Sequence, residues 1–135
     1  MQTYGEVPFR TTRESKGAAV LVHIAGELDH STAPELADCL GEAVRSVVPP
    51  APVVVDLSGV RFLGAQGIGL LLAHQDLCLR RGSALVVVAN TAAVLRPLQV
   101  LELTAVLGVR SSVGEAVLPR QASRSTRERG VQDRA

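Results

Sequence analysis

An α/β fold with a mixed, mostly parallel sheet of four to five strands and about four helices is what this sequence predicts. Three observations carry that expectation. Val53-Val54-Val55 and Ala84–Ala89 are short, unbroken apolar runs, the pattern of strands buried on both faces at the centre of a parallel sheet. Segments with apolar residues at helical spacing alternate with these runs, giving the order β-β-α-β-α-β-α-β-α. The chain has 135 residues, 47% hydrophobic and 20% charged, which suits one packed domain. Residues 7–118 are the expected domain, with a short tail at 1–6. Residues 119–135 hold five Arg and one large apolar residue, Val131, so they cannot bury enough apolar surface to offset the entropy of ordering and are expected to be a disordered tail.

Taken along the chain, Ala18–Ala25 is rich in β-branched residues between Gly17 and Gly26 and reads as a buried strand. Val7–Thr12 is its expected hairpin partner, joined through a turn at Glu14–Gly17. A helix opens at Ser31-Thr32-Ala33-Pro34-Glu35, where Thr32 and Glu35 have capping-box spacing and Pro34 is tolerated in the first turn. Leu36, Leu40, Ala43, Val44 and Val47 continue it at helical spacing, and Pro49, Pro50 and Pro52 stop it. The strand Val53–Val55 ends in Asp56, and a loop is expected at Ser58–Gly67. Ile68–Leu79 is too long for one strand and ends in Arg80-Arg81-Gly82, cations and then Gly as at a helix C-terminus. After the strand Ala84–Ala89, Asn90 or Thr91 can cap a third helix reaching about Leu101, with Pro97 inside it and a kink or a later start as the consequence. Ala105–Val109 reads as an edge strand, and Ser112 with Glu115 as the capping box of a last short helix to Leu118.

Composition removes several classes of function. Fourteen basic and thirteen acidic residues leave a formal charge of +1, which argues against a strongly basic nucleic-acid binder. With no Trp, one Tyr and two Phe there is little on which to stack bases. No run approaches the ~18 apolar residues that span a bilayer, and the first residues show no apolar signal core, so a cytoplasmic protein without membrane insertion is expected. His23, His30 and His74 have no metal-ligand spacing with Cys39 or Cys78, and neither a metal nor a cofactor is implied. The two cysteines are read as reduced small core residues, with a redox bridge between the first two helices as the alternative.

The most informative stretch is Asp56-Leu57-Ser58-Gly59-Val60-Arg61-Phe62-Leu63-Gly64-Ala65-Gln66-Gly67-Ile68-Gly69. It resembles the bacterial anti-sigma factor antagonists and related STAS domains. In that family a buried strand ends in Asp-Leu-Ser, and an apolar pair, then Asp-Ser-Ser-Gly, opens a helix. Val53–Ser58 matches the strand, Phe62-Leu63 the pair and Gly67-Ile68-Gly69 the helix start. Gly26–Asp29 with Thr32–Leu36 resembles the family's first strand-to-helix passage, and the likeness covers about residues 7–118. It implies a non-enzymatic protein that binds an anti-sigma factor of the serine-kinase type, so that a sigma factor is freed. It also implies a switch, in which the kinase phosphorylates a Ser at the helix start and the complex parts.

At that switch the sequence departs from the family. Gly64-Ala65-Gln66-Gly67 stands where Asp-Ser-Ser-Gly is expected, and Gln66 falls on the phosphoacceptor position. An amide cannot accept a phosphoryl group and carries no charge to imitate one, so switching by phosphate in this loop is not expected. The expected partner-binding residues are Asp29, His30, Ser31 and Thr32 in the first turn, and Ser58, Arg61, Gly64, Ala65, Gln66, Gly67 and Ile68 in the second. Asp56 reads either as a loop-organising contact or as an Asx-type turn. Asp29-His30-Ser31 holds triad residue types, but neighbours in sequence rarely form a triad, and no base, nucleophile and metal set converges on the loop. Ile68, Leu70, Leu71, Leu72, Leu77 and Leu79 cover more than one helical face, so some should stay exposed unless a partner or a second copy covers them. The alternatives are an accessory STAS subunit of a transporter or signalling assembly, and a small-ligand or nucleotide sensor.

Overall fold

A computed structural model describes residues 8–117; the expected tail at 119–135, Leu118 and the segment 1–7 lie outside the described residues. Four strands, β1 (Arg10–Lys16), β2 (Ala19–Leu28), β3 (Val53–Leu63) and β4 (Leu85–Val88), form one sheet in the order β1-β2-β3-β4. β1 is antiparallel to β2, while β2, β3 and β4 run parallel. The helices are α1 (Ala33–Ser46), α2 (Ala65–Arg80), α3 (Ala92–Val100) and α4 (Val113–Val117).

The period of two along each strand explains why the central runs are unbroken. Val20, Val22, Ile24, Val53, Val55, Leu85 and Val87 face one cluster with Leu36, Leu40 and Val44 of α1, Ile68 and Leu71 of α2, and Val94 and Leu98 of α3. Leu21, Val54, Val86 and Val88 face the other side, where Ala116 of α4 covers them. Both faces of β3 and β4 are apolar because both are covered.

Four expectations are corrected. The hairpin partner of β2 begins at Arg10 and runs to Lys16, with the turn at Gly17-Ala18, where Gly17 takes φ 62°. As an edge strand it is exposed over most of its length, so it lacks the apolar pattern that reveals a strand. The expected loop from Ser58 is strand as far as Leu63: β3 continues beside β2 through register shifts at His23/Ala25 and Gly26/Glu27, and Gly64 alone separates it from α2. These bulges break the alternation and give Ser58–Leu63 the look of a loop. The expected strand at Ala105–Val109 is turns. The β4 edge is met there only by backbone, where the Val87 N–H donates to Leu107 O and Arg110 bridges to Val88. The Thr32–Glu35 capping box does not form, because the Thr32 hydroxyl donates backwards to Glu27 O at 2.8 Å.

Of the other caps, Thr91 precedes α3, but neither Thr91 nor Asn90 caps it with its side chain, and α3 runs from Ala92 with Pro97 inside. Ser112 does accept from the Glu115 N–H at 3.2 Å, whereas the Glu115 carboxylate turns to the N–H of Ser111.

A buried side chain that sequence reading did not single out closes the sheet's open edge. Gln75 of α2 accepts from Leu85 N–H at 2.9 Å and donates to Leu85 O at 2.8 Å and to Val106 O at 2.7 Å. Its amide thus pairs with the first residue of β4 as a neighbouring strand would.

Candidate docking site

The carboxyl ends of β2 and β3 lie side by side, with Leu28 paired to Leu63, and each leads directly into a helix. The Gly64 N–H donates to Leu28 O at 2.9 Å and ties the two exits together. In the first exit, the Asp29 carboxylate accepts from the N–H and the hydroxyl of Ser31, at 2.9 and 2.8 Å, and from Thr32 N–H at 3.2 Å. The Ser31 hydroxyl, with the Thr32 and Ser31 amides behind it, holds the Asp29 carboxyl below its ordinary value. This anchored turn leaves His30 and Ser31 exposed.

In the second exit, Gly64 is the N-cap of α2, without a side chain to cap the helix, and the first turn carries no acid. Ala65 and Gln66 are exposed, so the Gln66 amide stands on the open first turn of α2. Gly67 and Ile68, also expected at a partner contact, are buried behind this turn. A Cβ on Gly67 would lie 2.9 Å from Leu28 Cβ and 3.0 Å from Leu63 Cδ1, so the missing side chain is what lets α2 close on β2 and β3. Gly67→Ala should therefore cost about 1–2 kcal/mol of stability, read as a lower denaturant midpoint at unchanged slope.

Ser58 does not join this rim. It lies six residues before Gly64 on β3, and at ~3.3 Å per residue the two are well separated. Its N–H and hydroxyl both donate to Asp56 Oδ1, the first at 3.0 Å, so Asp56 makes the Asx turn. The other oxygen of Asp56 meets His23 Nδ1 at 2.8 Å, and His23 Nε2 meets Glu14 at 3.1 Å, a polar strap across β1, β2 and β3. Arg61 is exposed, one residue before Phe62. His74 is tied to Leu70 O, and Cys39 and Cys78 carry free thiols, burial pushing that of Cys78 up to about 11.

The strap makes stability depend on pH. Burial alone would lower the His23 value, but hydrogen bonds and charge from Asp56 and Glu14 outweigh it and raise His23 above 6.5. Burial likewise opposes ionisation of Asp56, and the Ser58 and His23 bonds outweigh it and lower Asp56 below 3.8. The histidine's contribution is full below about 6.5 and fades as pH rises through the higher folded value. That of Asp56 is full above about 3.8 and fades as pH falls through the lower folded value. Solvent screens the exposed side of the strap, so the effect is modest. The gap in melting temperature between the parent and His23→Gln should shrink from about pH 5.5 to about pH 8.5; a constant gap would mean that folding does not shift the His23 pKa.

Two parallel strands enter helices through adjacent, tightly tied turns, which form a candidate docking rim on an α/β scaffold. Comparison with known proteins places the chain: the family described as "Mlab, STAS domain" matches residues 11–109, and the chain belongs to the STAS-domain family. It is 31% identical over 108 residues, 80% of this chain and 73% of the other, to a Mycobacterium tuberculosis protein described as a candidate anti-anti-sigma factor. It is 30% identical to the anti-sigma-F factor antagonist RsfA of the same species, over 64% of this chain and 68% of that one. Among solved structures, an anti-sigma factor antagonist from Mycobacterium paratuberculosis superposes with a TM-score of 0.73 at 31% identity, covering 81% of this chain and 91% of that one. These relatives carry antagonist names, not enzyme names. Among the described residues no helix is long and apolar enough to cross a membrane.

Proposed function

We propose that this chain is an anti-sigma factor antagonist that acts in the cytoplasm. It binds an anti-sigma factor of the serine-kinase type and so frees a sigma factor, without being switched by phosphate at the start of α2. The docking rim comprises Asp29, His30, Ser31, Thr32, Arg61, Gly64, Ala65 and Gln66. The observation that carries this reading is the exposed Gln66 amide on the first turn of α2. A phosphoryl group at that place would meet free helix N–H groups and would add about two charges to a surface that must lose water on docking. Glutamine offers no hydroxyl to receive it.

The test is direct. Purified serine-kinase anti-sigma factors of the source organism, each loaded with its sigma factor, are titrated with this protein. A complex and release of the sigma factor are expected from one of them. With ATP present, intact-mass analysis should find no phosphate on the parent and one phosphate on Gln66→Ser. Absence of a complex with any of them, or phosphate on Ser58 of the parent, would overturn the reading. Sedimentation of the free protein reports whether it pairs with a second copy, for which Leu77 and Leu79, 42% and 59% exposed on α2, offer apolar surface.

A further inference from the structure

Phe62 is 50% exposed and is the one exposed aromatic among the described residues. It is the penultimate residue of β3, paired in register with the exposed Glu27 of β2, and two residues before the glycine that opens α2. Gly64 has φ −92° and ψ 179°, an ordinary extended backbone that any residue adopts, so its conformation does not call for glycine. The space around it does: a Cβ on residue 64 would lie 2.9 Å from Phe62 Cε2, and 3.3 Å from both Phe62 Cζ and Leu28 O. The Phe62 ring therefore lies over residue 64 in space a side chain would otherwise take, held against the strand-to-helix junction and half open to solvent.

Resting on the reading above, we infer that Phe62, seated on Gly64, is the anchor and specificity determinant of the docking rim. With uncharged Gly64, Ala65 and Gln66 beside it and Glu27, Asp29 and Arg61 at the margin, it makes an apolar centre with a charged border. That is the layout of an interface whose binding energy is concentrated in a rigid aromatic. The matching partner is an anti-sigma factor presenting an apolar, uncharged pocket to this ring. Because the ring is already seated, little side-chain freedom remains to be lost on docking.

The atom that residue 64 would strike hardest is the far end of a rotatable side chain, with the Leu28 carbonyl less tight at 3.3 Å, so Gly64→Ala should chiefly swing the ring away, at a small strain on the strand-to-helix tie. This separates anchoring from folding. With the purified anti-sigma factor that binds the parent, Phe62→Ala should lower affinity about 30-fold. Gly64→Ala should lower it about 10-fold, and the loss in the double variant should fall clearly short of the sum of the two, since residue 64 acts chiefly through the ring. Melting temperatures should stay within about 4 °C of the parent, a shift that corresponds to a small loss of stability. Phe62→Leu should recover part of the affinity. Parent-like binding by Phe62→Ala, or losses that add in the double variant, would overturn this inference while leaving the proposed function in place. Failure of the parent itself to bind any anti-sigma factor would overturn both.

Discussion

Gln75→Leu should unfold at a melting temperature at least ~12 °C below the parent, the loss expected when about 3–5 kcal/mol of stability goes. Leucine fits the volume and keeps the helix, so packing does not explain the cost. The backbone explains it. Among the described residues no strand lies outside β4, so the N–H and C=O of Leu85 on that side depend on the Gln75 amide, and Val106 O shares it. The N–H and C=O of Leu85 become buried polar groups without a partner, at roughly 1–3 kcal/mol each before any relaxation, while Val106 O lies nearer solvent. Hydrogen exchange should show the first residue of β4 losing protection most. Gln75→Glu should be no more stable than Gln75→Leu where the acid is ionised, since a carboxylate can accept from Leu85 N–H but would face two carbonyl oxygens as a buried charge, and should recover as pH falls and the protonated acid can donate to one of them. A Gln75→Leu variant that melts within a few degrees of the parent would show that water or a backbone shift satisfies Leu85 instead.

The same side chain shows where the sequence stops being readable. β2, β4 and the first part of β3 are legible because burial on both faces makes unbroken apolar runs between Gly and Pro. α1 is legible from its apolar spacing and the prolines that follow it. β1 is hidden because an edge strand with solvent on most of its residues has no apolar signature, and Ser58–Leu63 because register shifts replace alternation with apolar residues three apart. The fifth strand expected at Ala105–Val109 is apolar enough to be one, but a glutamine from a helix already occupies the sheet edge it would have joined. A Gln late in a mostly apolar helix, with a strand and turns a few residues beyond, is the only hint the sequence gives of this. The two strand-to-helix exits are legible at Asp29–Thr32 and Gly64–Gln66 because their spacing follows a motif. The His23–Asp56 contact is not, because it joins residues 33 apart through a parallel register that only the folded sheet sets. The Phe62–Gly64 pairing is likewise invisible: a glycine two residues past a Phe reads as a turn until the ring is seen lying on it.

Gln66→Glu is expected to weaken the complex with the anti-sigma factor about 100-fold or more while leaving the free protein as stable as before, or slightly more so. The two effects have opposite signs for one reason. The first turn of α2 carries no acid and Gly64 supplies no capping side chain, so its N–H groups welcome a carboxylate, worth about 0.3–1 kcal/mol to the helix. In the docked state that carboxylate would have to give up water beside an apolar centre, and an uncompensated charge in an interface costs several kcal/mol. A change that merely damaged the fold would lower stability and affinity together, so the pairing of unchanged melting temperature with lost binding is the diagnostic. Gln66→Lys separates charge from size: if desolvation is the cause, it too weakens the complex, whereas tighter binding by the lysine variant would mean that an acidic group faces position 66. Binding by Gln66→Glu within about threefold of the parent would put position 66 outside the contact, and with it the explanation of why an amide stands where a phosphate switch is expected.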